Sequence, residues 1–193
     1  MTHQAQTPPT SCARERLHTR SVEYNGYRRD DGLWDIEAEL RDYRHYDTQT
    51  AMGLLPAQAS VHHMAISLTV DDELTVQAVS AKMMSTPFSS CLEIEASLQP
   101  MIGVRIGAGW RRAITDRIGG TQSCTHLREL LVNLATAALQ TIPTWHAQQI
   151  KKQGQRPTGR PHYLGQCHAW RLDGPLVQKI HPQFHQPPHQ DNP

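Results

Sequence analysis

Four side chains of the sequence could together bind a metal ion: His62, Cys91, Cys124 and His126. Thiolates and imidazoles are the ligands that zinc and iron most often take in proteins. Two cysteines and two histidines would complete a tetrahedral zinc site, and the same set is suited to iron. The chain contains no Cys-x-x-Cys pair, so the spacing matches no common zinc finger. The pattern therefore predicts a Zn or Fe site assembled from distant segments.

His62 lies on the apolar side of a predicted strand. In the alternating segment 61–70 it is in phase with Met64 and Ile66, so its imidazole should face the interior. The adjacent His63 should face water. The alternative for His62 is a hydrogen-bonded core histidine without a metal.

The three other candidates lie where helices are predicted to begin. Cys91 follows two serines that can cap a short helix, and exposed N–H groups at a helix start favour a thiolate. Cys124 and His126 come just before a long amphipathic helix, where both could reach one ion. The alternative for each cysteine is a buried thiol. Cys167 is a candidate for a fifth member of the site.

Three further residues have side chains suited to catalysis. Glu129 could bind the ion, orient a ligand or transfer a proton, and the alternative is a carboxylate exposed in the first turn of a helix. Arg29 could anchor a substrate while Asp31 carries a proton. The alternative for this pair is a turn with a local ion pair.

The same atoms also permit a function without a metal. Cys91 or Cys124 beside His62 or His126 would form a thiolate–imidazole pair, which is an activated nucleophile. The sequence contains no Ser-His-Asp signature, dinucleotide-binding motif or Walker motif that would indicate another chemistry. A metal site and a metal-free Cys–His nucleophilic enzyme therefore remain alternatives.

Strand patterns come first along the chain, and helix patterns follow. Alternating apolar residues predict strands over 34–41, 61–70 and 74–81. Helices are predicted from Cys91, over 104–118 and from Leu127, and an Asp-Gly turn at 173–174 predicts a C-terminal hairpin. This order indicates an α+β fold, with an antiparallel sheet of three or four strands followed by about three helices packed on one face.

Composition limits the domain organisation and the classes of partner. A chain of 193 residues normally forms one domain, which we expect over 21–180. A flexible arm over 1–20 and a disordered tail rich in Pro, His and Gln over 181–193 should flank it. The 19 basic and 18 acidic residues give a net charge of +1, so no affinity for nucleic acid is expected.

The sequence shows no apolar window close to the roughly 18 residues of a membrane helix and no signal-peptide pattern. We therefore expect a cytoplasmic protein without a membrane segment. Its partner would be a small-molecule substrate, or a protein with which it exchanges metal or sulfur.

Several motifs resemble a bacterial family known as domain of unknown function 2889, and this resemblance extends from Arg20 to Pro182. It is carried by YRRDDGLWDI at 27–36, VHHM at 61–64, PFSSC at 87–91, GAGW at 107–110, GGTQSCTHLREL at 119–130 and LGQCHAWRLDG at 164–174. The family implies no activity.

The order of the candidate ligands is also similar to that in the IscU/NifU-type iron–sulfur scaffold proteins. On this resemblance Cys91 matches the scaffold's helix-opening cysteine, and Cys124 with His126 approximates its His-Cys pair in reversed order. His62 precedes Met64 where the scaffold has an aspartate before its methionine. The scaffold's strand-region cysteine has no counterpart here, which favours a single metal ion over a cluster. The resemblance implies a non-catalytic carrier of metal, sulfur or a cluster as an alternative function.

The leading hypothesis is a metal-binding protein whose ion assists a reaction on a small polar substrate. Glu129 or Asp31 would then carry the proton. Catalysis requires an open coordination position, so one of the four predicted ligands should not bind the ion.

Overall fold

Four strands of the chain form an antiparallel sheet. The structure, a computed structural model, describes residues 12–155 and 158–187. The strands are β1 (His18–Arg28), β2 (Trp34–Arg44), β5 (Ser60–Val70) and β6 (Val76–Ser85), in the spatial order β1-β2-β5-β6. Between β2 and β5, the short strands β3 (Thr48–Thr50) and β4 (Gly53–Leu55) form a separate two-stranded sheet.

The alternation along the two central strands gives the sheet one apolar face. Residues two apart on a strand point to the same side, and every second residue is buried from Trp34 to Asp42 in β2 and from Met64 to Val70 in β5. Each large apolar side chain buried in this way stabilises the fold by about 1.5–3 kcal/mol. The buried side chains of these two strands are Trp34, Ile36, Ala38, Leu40, Met64, Ile66, Leu68 and Val70.

The helices follow the sheet along the chain and cover its apolar face. They are a 3-10 helix (Ser89–Met101), α1 (Trp110–Ile118), a 3-10 turn (Gly120–Gln122) and α2 (Thr125–Lys152). Leucines three, four and seven residues apart on α2 join the apolar residues of the sheet in one buried cluster. The predicted α+β fold, with an antiparallel sheet followed by helices, is thereby confirmed.

The predicted C-terminal hairpin is wrong, because this segment forms a helix. α3 spans Pro175–Ile180, and a 3-10 turn (Pro182–Phe184) follows it. Proline favours the first position of a helix, since its φ is already helical and its missing N–H is not needed there. Gly174 therefore precedes a helix instead of turning between two strands.

The chain divides into two compact units, one up to Trp145 and the other from His146. The single domain predicted over 21–180 stays a prediction. The second unit contains the buried side chains of Leu164 and Val177. Within it, the Tyr163 hydroxyl lies 2.9 Å from Nε2 of His181. In the part of the chain that the structure describes, no helix has the length and apolar content to cross a bilayer.

The described parts of the predicted arm and tail contain some regular structure. β1 begins at His18, so residues 18–20 of the arm predicted over 1–20 belong to the sheet. Residues 1–11 lie outside the described residues. Of the tail predicted over 181–193, residues 182–184 form the 3-10 turn, and residues 188–193 lie outside the described part of the chain.

Gly26 permits a close approach between β1 and α2. A Cβ atom at this position would overlap the side chain of Thr141 on α2. Gly26→Ala is therefore expected to lower the free energy of unfolding by about 1–3 kcal/mol, measured by chemical denaturation. The double variant Gly26→Ala/Thr141→Ala should regain most of this loss. A single variant as stable as the wild type would contradict the expected clash.

Candidate metal centre

A buried carboxylate, that of Asp42, lies on the apolar face of the sheet near one end of β2. The inward alternation that runs through Leu40 continues to Asp42, of which 3% is exposed. A buried charge is costly unless it is paired and hydrogen-bonded. The strand register supplies partners on both sides, because Asp42 lies opposite Arg20 in β1 and opposite His62 in β5.

Arg20 binds Asp42 through two nitrogen atoms of its guanidinium group. Nε lies 2.8 Å from Oδ1 and Nη2 lies 2.8 Å from Oδ2, the bidentate geometry of a strong charge-assisted pair. His18 Nε2 lies 3.2 Å from Oδ1, and His62 Nδ1 lies 3.3 Å from Oδ2. Burial by itself would raise the pKa of Asp42, but Arg20, His18 and His62 outweigh it and hold that pKa below its usual range.

The imidazoles of His62 and His126 contact each other where α2 packs on the sheet, with their ring planes tilted by 38°. Their ring centroids are 4.1 Å apart, with His126 in the first turn of α2. Burial, and then the charge of His126, lower the pKa of His62, although Asp42 acts in the opposite direction. The neutral form of His62, which is the form that binds metal, is therefore favoured.

Cys124 immediately precedes α2 and contacts His126. Its carbonyl accepts the backbone N–H of Arg128 at 3.0 Å, so Cys124 is the N-cap residue of the helix. The Sγ atom lies 3.5 Å from His126 Nδ1. Burial would raise the pKa of Cys124, but hydrogen bonds from His126 and from the backbone N–H of Leu127 lower it. The same Cys124–His126 contact raises the pKa of His126 against the effect of burial.

Asp42, His62 and His126 form a group with the spacing of metal ligands. Each offers one ligand atom, and these atoms lie within 4.8 Å of one another. Two atoms bound at about 2.1 Å to one ion can be at most about 4.2 Å apart. An ion bound by all three would therefore draw any pair of ligand atoms near the 4.8 Å limit closer together. Among the described residues no other such group of three or more occurs.

The structure brings together two of the four predicted ligands, His62 and His126, and adds Asp42 to them. Cys124 lies beside His126 but outside the group. Cys91 lies in the 3-10 helix, half-buried against the apolar core, and is not part of the group either. Cys167 is exposed. The roles of both Cys91 and Cys124 as ligands remain predictions, and the four side chains do not form one cluster.

Sequence reasoning missed Asp42 and Arg20, although a signal for Asp42 was present. Asp42 is in phase with the buried residues Trp34 to Leu40, and an acidic residue on an apolar face needs a partner. The predicted strand ended at Arg41, which is one residue before Asp42 and three before the end of β2. No local pattern singles out Arg20, because β1 is an edge strand with mostly exposed side chains.

Glu129 is linked to the centre through Arg20. Its Oε2 atom accepts a hydrogen bond from Nη1 of Arg20 at 3.0 Å, and 55% of its side chain is exposed. Arg20 therefore connects the first turns of α2 to Asp42. Glu129 itself is not in the ligand group, and a role in proton transfer stays a prediction.

Arg29 and Asp31 lie at the other end of β2 and do not reach Asp42. Asp31 lies in the turn before Trp34, and at a rise of about 3.3 Å per residue Trp34 and Asp42 are already about 26 Å apart along β2. Arg29 Nη2 lies 2.6 Å from Asp31 Oδ2, and Nη1 lies 3.3 Å from Asp35 Oδ1. The two residues form the local ion pair that was the alternative to a catalytic role at this centre.

The family described as protein of unknown function (DUF2889) matches residues 18–140, which is more than half of the chain. No curated protein and no solved structure matches the chain. The resemblance to the IscU/NifU-type scaffold proteins is therefore not supported by these comparisons. The match begins at the first residue of β1 and includes Arg20, Asp42, His62 and His126.

Proposed function

We propose that this chain, which belongs to the family of proteins of unknown function DUF2889, binds one divalent transition-metal ion through Asp42, His62 and His126. The observation that carries the proposal is the convergence of one carboxylate and two imidazoles from β2, β5 and α2. Holding one buried and two half-buried polar groups on an apolar face costs free energy. An ion that binds all three would offset this cost.

The ligand set favours zinc or iron. Two histidines with one carboxylate occur in catalytic zinc sites and in non-haem iron(II) sites, and both kinds leave coordination positions open. Bound here, the ion would act as a Lewis acid on a small-molecule substrate. This would satisfy the condition for catalysis that at least one of the four predicted Cys and His ligands does not bind the ion.

The surrounding residues support the ligands in the way that metal sites require. Arg20 holds both oxygens of Asp42, while the contact of Cys124 with Nδ1 of His126 leaves Nε2 of that ring for an ion. Partners of this kind fix the orientation of metal ligands and raise affinity. Arg20 and Cys124 are therefore positioning residues in this proposal.

The experiment compares two adjacent histidines. Protein purified without a His tag should contain close to one zinc or iron per chain by elemental analysis. His62→Gln should lower the affinity for Zn²⁺ by about 100-fold or more in calorimetric titrations, which is about 2.7 kcal/mol. His63→Gln is the matched control, because His63 lies on the outer face and bonds Glu39 at 2.6 Å. Its affinity should equal that of the wild type.

Two results would overturn the proposal. One is zinc and iron contents both well below one per chain, together with no Zn²⁺ binding in the titration. The other is an equal effect of the two histidine substitutions. Cys91→Ser should retain full metal content, because Cys91 is outside the ligand group.

The N-cap position of Cys124 favours a second candidate function, that of a nucleophilic thiol. The helix start and the contact with His126 both stabilise a thiolate, as in enzymes with a Cys–His pair. His126 would then act as the base instead of binding an ion. The two candidate functions therefore give His126 different roles, as a base in one and as a metal ligand in the other.

Alkylation kinetics distinguish the two functions. Since the pKa of Cys124 is lowered, its reaction with iodoacetamide should accelerate at lower pH in the wild type than in His126→Gln. At pH 7 the wild type should react several-fold faster, measured by mass spectrometry of the Cys124 peptide. Equal pH profiles would contradict a thiolate–imidazole pair. Protection of Cys124 by Zn²⁺ would favour the metal site.

A further inference from the structure

An open cleft of about 290 Å³ lies beside the proposed metal ligands. Asp42 and His62 line this cleft and also belong to the ligand group. Its volume is close to the lower end of the range for small-molecule sites, about 300–1,000 Å³. The residues that line it are His18, Arg20, Asp42, Arg44, Val61 and His62.

Positive charge exceeds negative charge in this cleft. Asp42 is the one carboxylate among the lining residues, and it is already shared by Arg20 and two histidines. The other nearby carboxylate, that of Glu129, also pairs with Arg20. No carboxylate within residues 12–155 and 158–187 forms an ion pair or hydrogen bond with the guanidinium of Arg44, and its side chain is half-buried.

Arg44 is placed beside Asp42 to bind an oxyanion in this cleft. It lies two residues beyond Asp42 on the same face of β2, and its cross-strand neighbour is His18. The planar guanidinium presents two parallel N–H donors, a geometry that matches two oxygens of a carboxylate or phosphate group. A divalent ion held by a single carboxylate would add further positive charge nearby.

We infer that this cleft binds the oxyanion group of a small-molecule substrate, a carboxylate or a phosphate, with Arg44 as its principal binding residue. The inference rests on the proposed function in that the reacting part of the substrate would lie toward Asp42, His62 and His126. The anion would neutralise Arg44 and balance the charge of the centre. Neutral analogues would lose this pairing and bind weakly.

The experiment measures the binding of acetate and of inorganic phosphate by calorimetry, with neutral acetamide for comparison. In Zn²⁺-loaded protein, Arg44→Gln should weaken binding of the preferred anion by about 10- to 100-fold. Arg44→Lys keeps the charge but loses the planar guanidinium, so its anion affinity should lie between those of the wild type and Arg44→Gln. The anion that binds more tightly assigns the oxyanion class.

Arg41→Gln is the matched control, because Arg41 lies on the same strand but on the outer face, where it pairs with Glu39. It removes the same charge and should leave anion affinity unchanged. Metal affinity should be unaltered in both the Arg41 and Arg44 variants. Circular dichroism would establish that each variant is folded.

The outcomes separate the two proposals. If Zn²⁺ binds but Arg44→Gln leaves anion affinity unchanged, or acetamide binds as tightly as acetate, the anion site is overturned and the metal site stands. If Zn²⁺ does not bind, the proposed function fails. The same titrations on the metal-free protein then test whether the cleft binds an anion. An Arg44-dependent affinity there would support the anion site, and no binding of either anion at millimolar concentration would overturn it.

Discussion

Asp42→Asn is expected to lower the free energy of unfolding by about 2–3 kcal/mol at pH 7. Asparagine has the same size but carries no charge, so the guanidinium of Arg20 loses its bidentate ion pair with the carboxylate. The loss should stay below that of a fully buried pair, because 37% of the Arg20 side chain is exposed and Glu129 still binds it. The variant should also lose Zn²⁺ binding if Asp42 is a ligand.

The pH dependence of this loss tests its electrostatic origin. Arg20 and the two histidines outweigh burial and hold the pKa of folded Asp42 below its unfolded value of about 3.9. Such a group stabilises the fold above its unfolded pKa, and this contribution disappears as the pH falls through the lowered folded pKa. The stability difference between wild type and Asp42→Asn should therefore be large at pH 7 and shrink below about pH 4.

The stability difference between the wild type and Asp42→Asn is measured by urea denaturation at pH 7 and near pH 3, with tryptophan fluorescence as the signal. Glu39→Gln is a suitable control, because Glu39 is a carboxylate on the outer face of the same strand with 42% of its side chain exposed. Its removal should change stability by no more than about 0.5 kcal/mol. A loss in Asp42→Asn that is equally large at both pH values would contradict the charge-based explanation.

Trp110→Ala is expected to lower the free energy of unfolding by about 3–5 kcal/mol. Trp110 begins α1, is 3% exposed, and packs in the core between this helix and α2. Its indole Nε1 donates a hydrogen bond to the carbonyl of Leu131 at 3.0 Å. The substitution would remove this bond and leave a cavity next to the first half of α2, which carries His126 and follows Cys124.

Two further variants separate the cavity from the hydrogen bond. Trp110→Phe keeps most of the apolar volume, so its loss should be about 1–2 kcal/mol. Phe88→Ala controls for removal of an exposed aromatic ring, since 53% of Phe88 is exposed, and it should cost little. Chemical denaturation followed by far-UV circular dichroism measures all three. A Trp110→Ala variant within about 1 kcal/mol of the wild type would refute the proposed role in packing.

The elements with strong local sequence patterns were predicted correctly, and those with weak patterns were not. β2, β5 and α2 have continuous apolar periods of 2 or 3.6 residues, and the structure contains all three elements. β1 is an edge strand whose side chains are mostly exposed, so it shows no alternation to detect. At the C-terminus, the Asp-Gly pair suggested a hairpin, but Pro175 favours the helix that forms.

Some features of the candidate site could be predicted from neighbouring residues, and others depend on contacts between distant segments. The phase of His62 with Met64, and the place of His126 at the start of an amphipathic helix, could be read from neighbouring residues. The pairing of Asp42 with Arg20 could not, because their segments are brought together by the strand register. Cys91 lies at a helix start, as its surroundings suggested, yet it is outside the ligand group.

The sequence by itself determined which residues of each central strand and of α2 turn inward, because side-chain direction depends on the local backbone period. Only the tertiary structure decided which inward polar groups meet. The register of β1, β2 and β5 aligns Arg20, Asp42 and His62 in one row, and the packing of α2 brings His126 over that row. Register and helix position follow from contacts across the whole core, which no short sequence pattern contains.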